Sequence, residues 1–211
     1  MVVVREPLLH PVAISDLRPT QITVGMREVR AKQAAWRQKA QDKKAQEKAA
    51  NFLGEHMIPV ILGLKKQYYV IDHHHLCRAL HEEGQEKVLV TVIADLHRLE
   101  EDSFWFVMDN RDWLHPFDEK GRRCGYDALP ATVMDLVDDP YRSLAGELRY
   151  IGGFAKDTTP FSEFLWADFL RRRIKRKRIE GDFESTLEEA LQLAKSKDAD
   201  YLPGWCGASA R

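Results

Sequence analysis

The sequence predicts an α+β fold, with a small sheet layer and helices over residues 1–97 and a mostly helical part over 98–211. Three observations predict it. The β-branched and aromatic runs Ile58-Pro59-Val60-Ile61-Leu62, Tyr68-Tyr69-Val70-Ile71 and Val88 to Ile93 all precede residue 97. A short helix, His75 to Glu83, lies between the last two and is stopped by Gly84. Beyond residue 96 the texture changes to helical blocks, several opened by cap signals.

In chain order, Val2 to Val4 and His10 to Leu17 are candidate strands, the second ending at Arg18-Pro19-Thr20-Gln21. Arg27 to Leu53 contains no Gly or Pro, is rich in Ala, Lys, Gln, Glu and Arg, and precedes Gly54. It reads as a long helix, mostly exposed because its apolar residues are sparse. Ile58–Leu62 and Tyr68–Ile71 flank a turn at Gly63. Asp102 to Trp113 and Pro130 to Val137 are the first helical blocks of the second part. Asp139-Pro140 is an N-cap followed by proline at the first helical position, opening a helix to Ile151. Thr159-Pro160 repeats that device before Phe161 to Ile179, and Ser185 with Glu188 forms a capping box for the last helix, to about Lys197.

A 211-residue chain with 44% hydrophobic and 31% charged residues can bury a core. Its net charge of −1 gives no global pull toward nucleic acid, so a basic footprint must be local. Cys77, Cys124 and Cys206 are odd in number and well separated, which suggests neither a disulfide framework nor a CxxC metal site. A reducing, cytoplasmic setting is expected. The start carries charge too early for a signal peptide, and no run approaches the ~18 apolar residues of a membrane span.

The chemistry concentrates at Asp72-His73-His74-His75, where a strand runs into a helix. A helix N-terminus offers unpaired N–H groups and partial positive charge, so a tight turn there can hold an anion such as phosphate. Arg78, one turn in, is expected to lean back toward that point, and the imidazoles can donate hydrogen bonds. Asp72 serves the turn or orients an imidazole. Three histidines also suggest a metal, but adjacent side chains diverge and no second pair completes a shell. A purely structural capping role is the remaining alternative.

The line Tyr69-Val70-Ile71-Asp72-His73-His74-His75-Leu76-Cys77-Arg78-Ala79-Leu80, then Gly84 and the strand Val88 to Ile93, resembles the ParB/sulfiredoxin-like superfamily. Leu17-Arg18-Pro19-Thr20-Gln21 and Met57-Ile58-Pro59-Val60 resemble two further motifs upstream. Asp138-Asp139-Pro140-Tyr141-Arg142-Ser143-Leu144-Ala145 and Pro160 to Phe169 resemble the helical extension of bacterial ParB-like nucleases. The resemblance implies a small mixed sheet with helices, and a turn that binds nucleotide phosphates. Superfamily members include a CTP-hydrolysing partition protein, an ATP-using sulfinic acid reductase and free-serine kinases. Carried over, Asp72, His73, His74, His75 and Arg78 would hold phosphate, with His74 or His75 moving a proton. A nucleotide or phosphorylated ligand would be the partner, with Mg²⁺ or Mn²⁺ as its accompanying ion. His73 stands where the motif has Gly, His74 where partition proteins have a magnesium-binding Glu, and Leu76 where a second Arg is usual. Sulfiredoxin's nucleophilic Cys falls at His74, so a sulfinic reductase is not expected, and Cys77 reads as a packing residue.

Glu28, Asp95, Asp102 and Asp112 are candidate carboxylates; Glu28 leads because it follows the Pro19–Gly25 turn, which lies beside the phosphate site in the superfamily. Arg142 and His115 are further candidates to share the anion's charge. Arg171-Arg172-Arg173-Ile174-Lys175-Arg176-Lys177-Arg178 could track a nucleic-acid backbone, or could be a solvated helix end. The expected activity is nuclease or nucleotide-dependent phosphoryl transfer. The alternative is a non-catalytic module for a phosphorylated ligand or nucleic acid. The aromatics Phe104, Trp105, Phe161, Phe164, Trp166 and Phe169 are expected in the core.

Overall fold

A computed structural model describes residues 10–40 and 52–207. The expected strand at Val2–Val4, and the 41–51 portion of the long first helix, lie outside the described residues. The main sheet has five strands in the order β1-β6-β4-β5-β2: β1 His10–Ala13, β2 Leu17–Pro19, β4 Ile58–Leu62, β5 Tyr68–Val70 and β6 Lys87–Asp95. It is mixed. β4 is parallel to β6 and antiparallel to β5, β2 is parallel to β5, and β1 is antiparallel to β6. The single strand expected at His10–Leu17 is two, separated by a 3-10 turn at Ile14–Asp16 that turns Ile14 into the core.

Side chains alternate across the sheet. On one face Ile58, Val60, Val70 and Val90 pack under α1 (Met26–Ala40) and α2 (His74–Glu82), against Val29, Trp36, Leu76 and Leu80. On the other, Ile61 and Tyr69 meet Phe104 and Met108 of α3 (Glu101–Asn110). A third cluster joins Leu144, Leu148, Phe154, Trp166, Phe169 and Leu187 from the helices that follow. These are α4 Pro140–Tyr150, α5 Ser162–Arg171, α6 Arg176–Gly181 and α7 Phe183–Lys195.

The helix expected over Pro130–Val137 is instead a 3-10 turn at Val133–Asp135 followed by β7, Val137–Asp138. β7 pairs in parallel with β3 (Thr23–Val24), through Val137 N–H to the Ile22 carbonyl and Asp139 N–H to that of Val24. This pairing seats the start of α4 beside the residue 20–25 loop. Gly25 permits the approach, since a β-carbon there would lie 2.9 Å from the Ser143 backbone N.

Cap signals were partly displaced. Asp139 caps α4 as expected, accepting the Tyr141 N–H. Thr159 caps nothing; its N–H donates to Asp157, and α5 begins after Phe161, which holds a left-handed φ of 56°. The expected Phe161–Ile179 helix breaks after Arg171 because Ile174 is drawn into the core and the Tyr141 hydroxyl donates to its carbonyl at 2.8 Å. The last helix is capped by Asp182, which accepts the Ser185 N–H, and not by Ser185.

Candidate functional site

The strand β5 turns into α2 through Ile71-Asp72-His73. His73 is the N-cap residue, in the left-handed region at φ 65°, ψ 23°. That conformation is where a glycine would ordinarily stand, and histidine is among the side chains that reach it. Asp72 accepts the His73 N–H at 2.6 Å, which fixes the turn. No side chain caps α2, so its first N–H groups face outward with the helix's partial positive charge.

The two histidines that follow point inward. His74 and His75 are both buried. His74 Nε2 accepts the Thr20 N–H at 3.2 Å, and His75 Nε2 accepts the Gly25 N–H at 3.0 Å. Each proton is thereby placed on Nδ1. Burial pushes the His74 pKa down to about 4 and that of His75 well below the usual range, so both rings are neutral. Glu28 Oε2 lies 3.6 Å from His75 Nε2, but that nitrogen's lone pair is taken by Gly25, so no ion pair forms. Both rings are engaged by backbone N–H groups through Nε2 and latch the 20–25 loop onto α2. Their backbone N–H groups stay with the site. His73 is half buried, and burial lowers its pKa too.

Arg78 is engaged elsewhere. Its guanidinium reaches the 3-10 turn, donating to the carbonyls of Val133, Met134 and Leu136, and pairs with Glu82 through Nε. Carbonyls left open at the end of that turn hold it there.

The α2 N-terminus opens on a cleft of about 470 Å³. Glu28 and Lys32 of α1, Asp72 to His75, Arg142 and Arg149 of α4, and Lys156 all line it. Arg142 is 8% exposed. Among the described residues its Nε and Nη1 are buried without a hydrogen-bond partner, and the carboxylate paired with it, Glu28 Oε2, is 3.5 Å from Nη1. Glu28 is shared with Lys32, 3.5 Å from Oε1. Asp139-Pro140 marks where α4 starts and so places Arg142 in its first turn, but nothing local tells that this turn faces His75.

The other candidates separate. Asp112 lines the cleft. Asp95 is paired with His97 at 2.5 Å, and Asp102 faces a different cleft beside Trp105 and Tyr126. His115 stacks on Phe164 and Phe117, with ring centres 4.1 and 4.5 Å away. Its pKa is pushed down to about 3, mainly by burial and then by Arg142. Arg171 is largely buried in a pair with Asp139 at 2.5 Å. Arg172 pairs with Asp168 at 2.8 Å, and Arg173 lies over the Phe169 ring. Arg171 thus serves as the ion partner of the Asp139 cap in this fold. Cys77 is buried and its thiol is pushed up to about 12, as suits a packing residue. Among the described residues no group of three or more His, Cys, Asp or Glu side chains is placed to hold a metal, and no helix is long and apolar enough to cross a membrane.

A family model described as "Putative ParB-like nuclease" matches residues 10–172. Among solved structures, protein Atu1540 from Agrobacterium tumefaciens is similar at 50% sequence identity, over 98% of this chain and 100% of that one, with a TM-score of 0.89. No curated protein matches.

Proposed function

The chain belongs to the ParB-like nuclease family, and on that premise we propose that it binds the phosphate of a nucleotide or nucleic-acid strand at the α2 N-terminus and acts at that phosphorus. The observation that carries the reading is the uncapped start of α2, held by left-handed His73, opening into a cleft of mixed charge in which cations such as Lys32 and Arg142 stand among carboxylates such as Glu28 and Asp157. The N–H groups of His74, His75 and Leu76 would stabilise charge on the phosphoryl oxygens. With both buried imidazoles committed to backbone N–H groups, Glu28 is the expected catalytic side chain that still faces the cleft with a basic atom, and it is placed to take a proton from an attacking hydroxyl. Mg²⁺ or Mn²⁺, if it accompanies the ligand, needs only one or two protein carboxylates because it keeps waters and phosphate oxygens as ligands. Asp72, which lines the cleft, would be the carboxylate for that.

The test pairs binding with turnover. Inorganic phosphate and nucleoside triphosphates should shift the amide resonances of His73 to Leu76. Oligonucleotides or triphosphates with Mg²⁺ or Mn²⁺ should be cleaved by the wild type and at least about 100-fold more slowly by Glu28→Gln. Amide shifts confined to other regions would sink the site, and unchanged turnover in Glu28→Gln would remove its role.

A further inference from the structure

Arg142 breaks two local rules at once. It is a cation in the first turn of a helix, where the dipole favours anions, and the Asp139 carboxylate at that helix start is taken by the Tyr141 N–H and by Arg171. It is also buried, with two nitrogens lacking hydrogen-bond partners among the described residues. A buried guanidinium is ordinarily matched by a hydrogen-bonded carboxylate. Here the carboxylate paired with it is Glu28, 3.5 Å away and already facing Lys32. The Phe164 ring stacks beneath at 5.4 Å and offers only a face. Gly146, one turn on, leaves the space: a β-carbon there would sit 3.2 Å from Arg142 Nη1 and 3.9 Å from Glu28 Oε2. The cleft thus holds a positive charge that the described residues compensate incompletely, beside the open N–H groups of α2. Such a departure from local consistency is expected where a site is built for something else.

We propose that Arg142 is the charge partner of the bound phosphate, and that Glu28 occupies part of the anion's place until the ligand arrives. This rests on the phosphate reading of the α2 cleft and assigns it a residue from the helical part of the chain. The ligand completes the compensation of Arg142 while α2 holds its remaining oxygens. Phosphate and Glu28 then compete for one guanidinium, so removing either side chain has opposite consequences.

Inorganic phosphate is the probe, with thermal unfolding and amide shifts as readouts. Arg142→Met, of similar length and uncharged, should unfold no earlier than the wild type without phosphate, and should weaken phosphate binding about 30-fold or more. Glu28→Gln should lower the unfolding temperature without phosphate, and tighten phosphate binding several-fold. Gly146→Ala, pressing on Nη1, should weaken binding without changing any charge. A merely structural Arg142–Glu28 pair predicts instead that both charge variants lose stability and binding together. Wild-type affinity in Arg142→Met, with the His74 to Leu76 amides still responding, overturns the assignment and leaves the α2 site standing. Weaker binding in Glu28→Gln overturns the competition. No response in the wild type overturns the site and Arg142 together.

Discussion

At residue 73 a backbone angle does what residue identity usually does. The motif that this turn resembles uses glycine, and His73 reaches the same left-handed region with a φ of 65°. A β-carbon there costs about 1–2 kcal/mol. His73→Gly should therefore hold stability within about 1 kcal/mol of wild type or raise it, and His73→Val, branched at that carbon, should lose about 2 kcal/mol. Urea melts distinguish these outcomes; equal losses would mean that the left-handed angle is not what His73 supplies. The identity of the turn was legible in the sequence because a β-rich run meets Asp-His-His-His and then a helix. The direction of each side chain was not. Arg78 was expected at the anion because helical side chains lean back, and the Val133, Met134 and Leu136 carbonyls that engage it belong to a distant turn.

At the level of elements, α4 organises the helical part through its first residue. Asp139 is 1% exposed, caps α4 with one oxygen and pairs Arg171 with the other. Removing one partner of such a buried pair leaves the other charge uncompensated. Asp139→Ala and Arg171→Ala should each cost about 3–5 kcal/mol in denaturant unfolding. The double variant should cost less than the sum of the singles; strict additivity would show that the pair is not coupled. The Asp139-Pro140 signal was readable because cap and proline act within one turn of chain. The breaks at 172–175 and before Ser162 were not readable. Ile174 leaves the helix because of the Tyr141 hydroxyl and the core, and Thr159 is claimed by Asp157.

For the molecule as a whole, the buried His74 and His75 and the half-buried His115 shape how it responds to acid. His74 is pushed down to about 4, His115 to about 3, and His75 well below its usual range. An unfolded histidine takes its proton near pH 6.5, and these folded ones do so only at lower pH. Between those limits the unfolded chain binds more protons, so stability rises with pH in that window. It is fully present above about pH 6.5 and falls as pH drops toward 4 and below, by up to about 1.4 kcal/mol per pH unit for each histidine. Unfolding temperature measured from pH 7.5 to 4 should fall steeply below 6.5. His74→Gln should flatten the slope, and an unaltered slope would deny that His74 is neutral in the fold. The cleft is also a property of the whole molecule, since Glu28 comes from α1, the Asp72–His75 turn from the sheet layer, and Arg142 from the helical part.

By itself the sequence determined the α+β class, the main-sheet strands Ile58–Leu62, Tyr68–Val70 and Lys87–Asp95, the start of α4 and the strand-to-helix turn at Asp72–His75. Each rests on periodicity, caps and turn chemistry acting over a few residues. The tertiary structure decided which side chains face the cleft. The β3–β7 pairing brought Arg142 opposite α2, the Thr20 and Gly25 N–H groups turned His74 and His75 inward, and the Val133–Leu136 carbonyls captured Arg78. Those choices depend on hydrogen-bond partners and burial contributed by segments far apart in the chain, which no local pattern encodes.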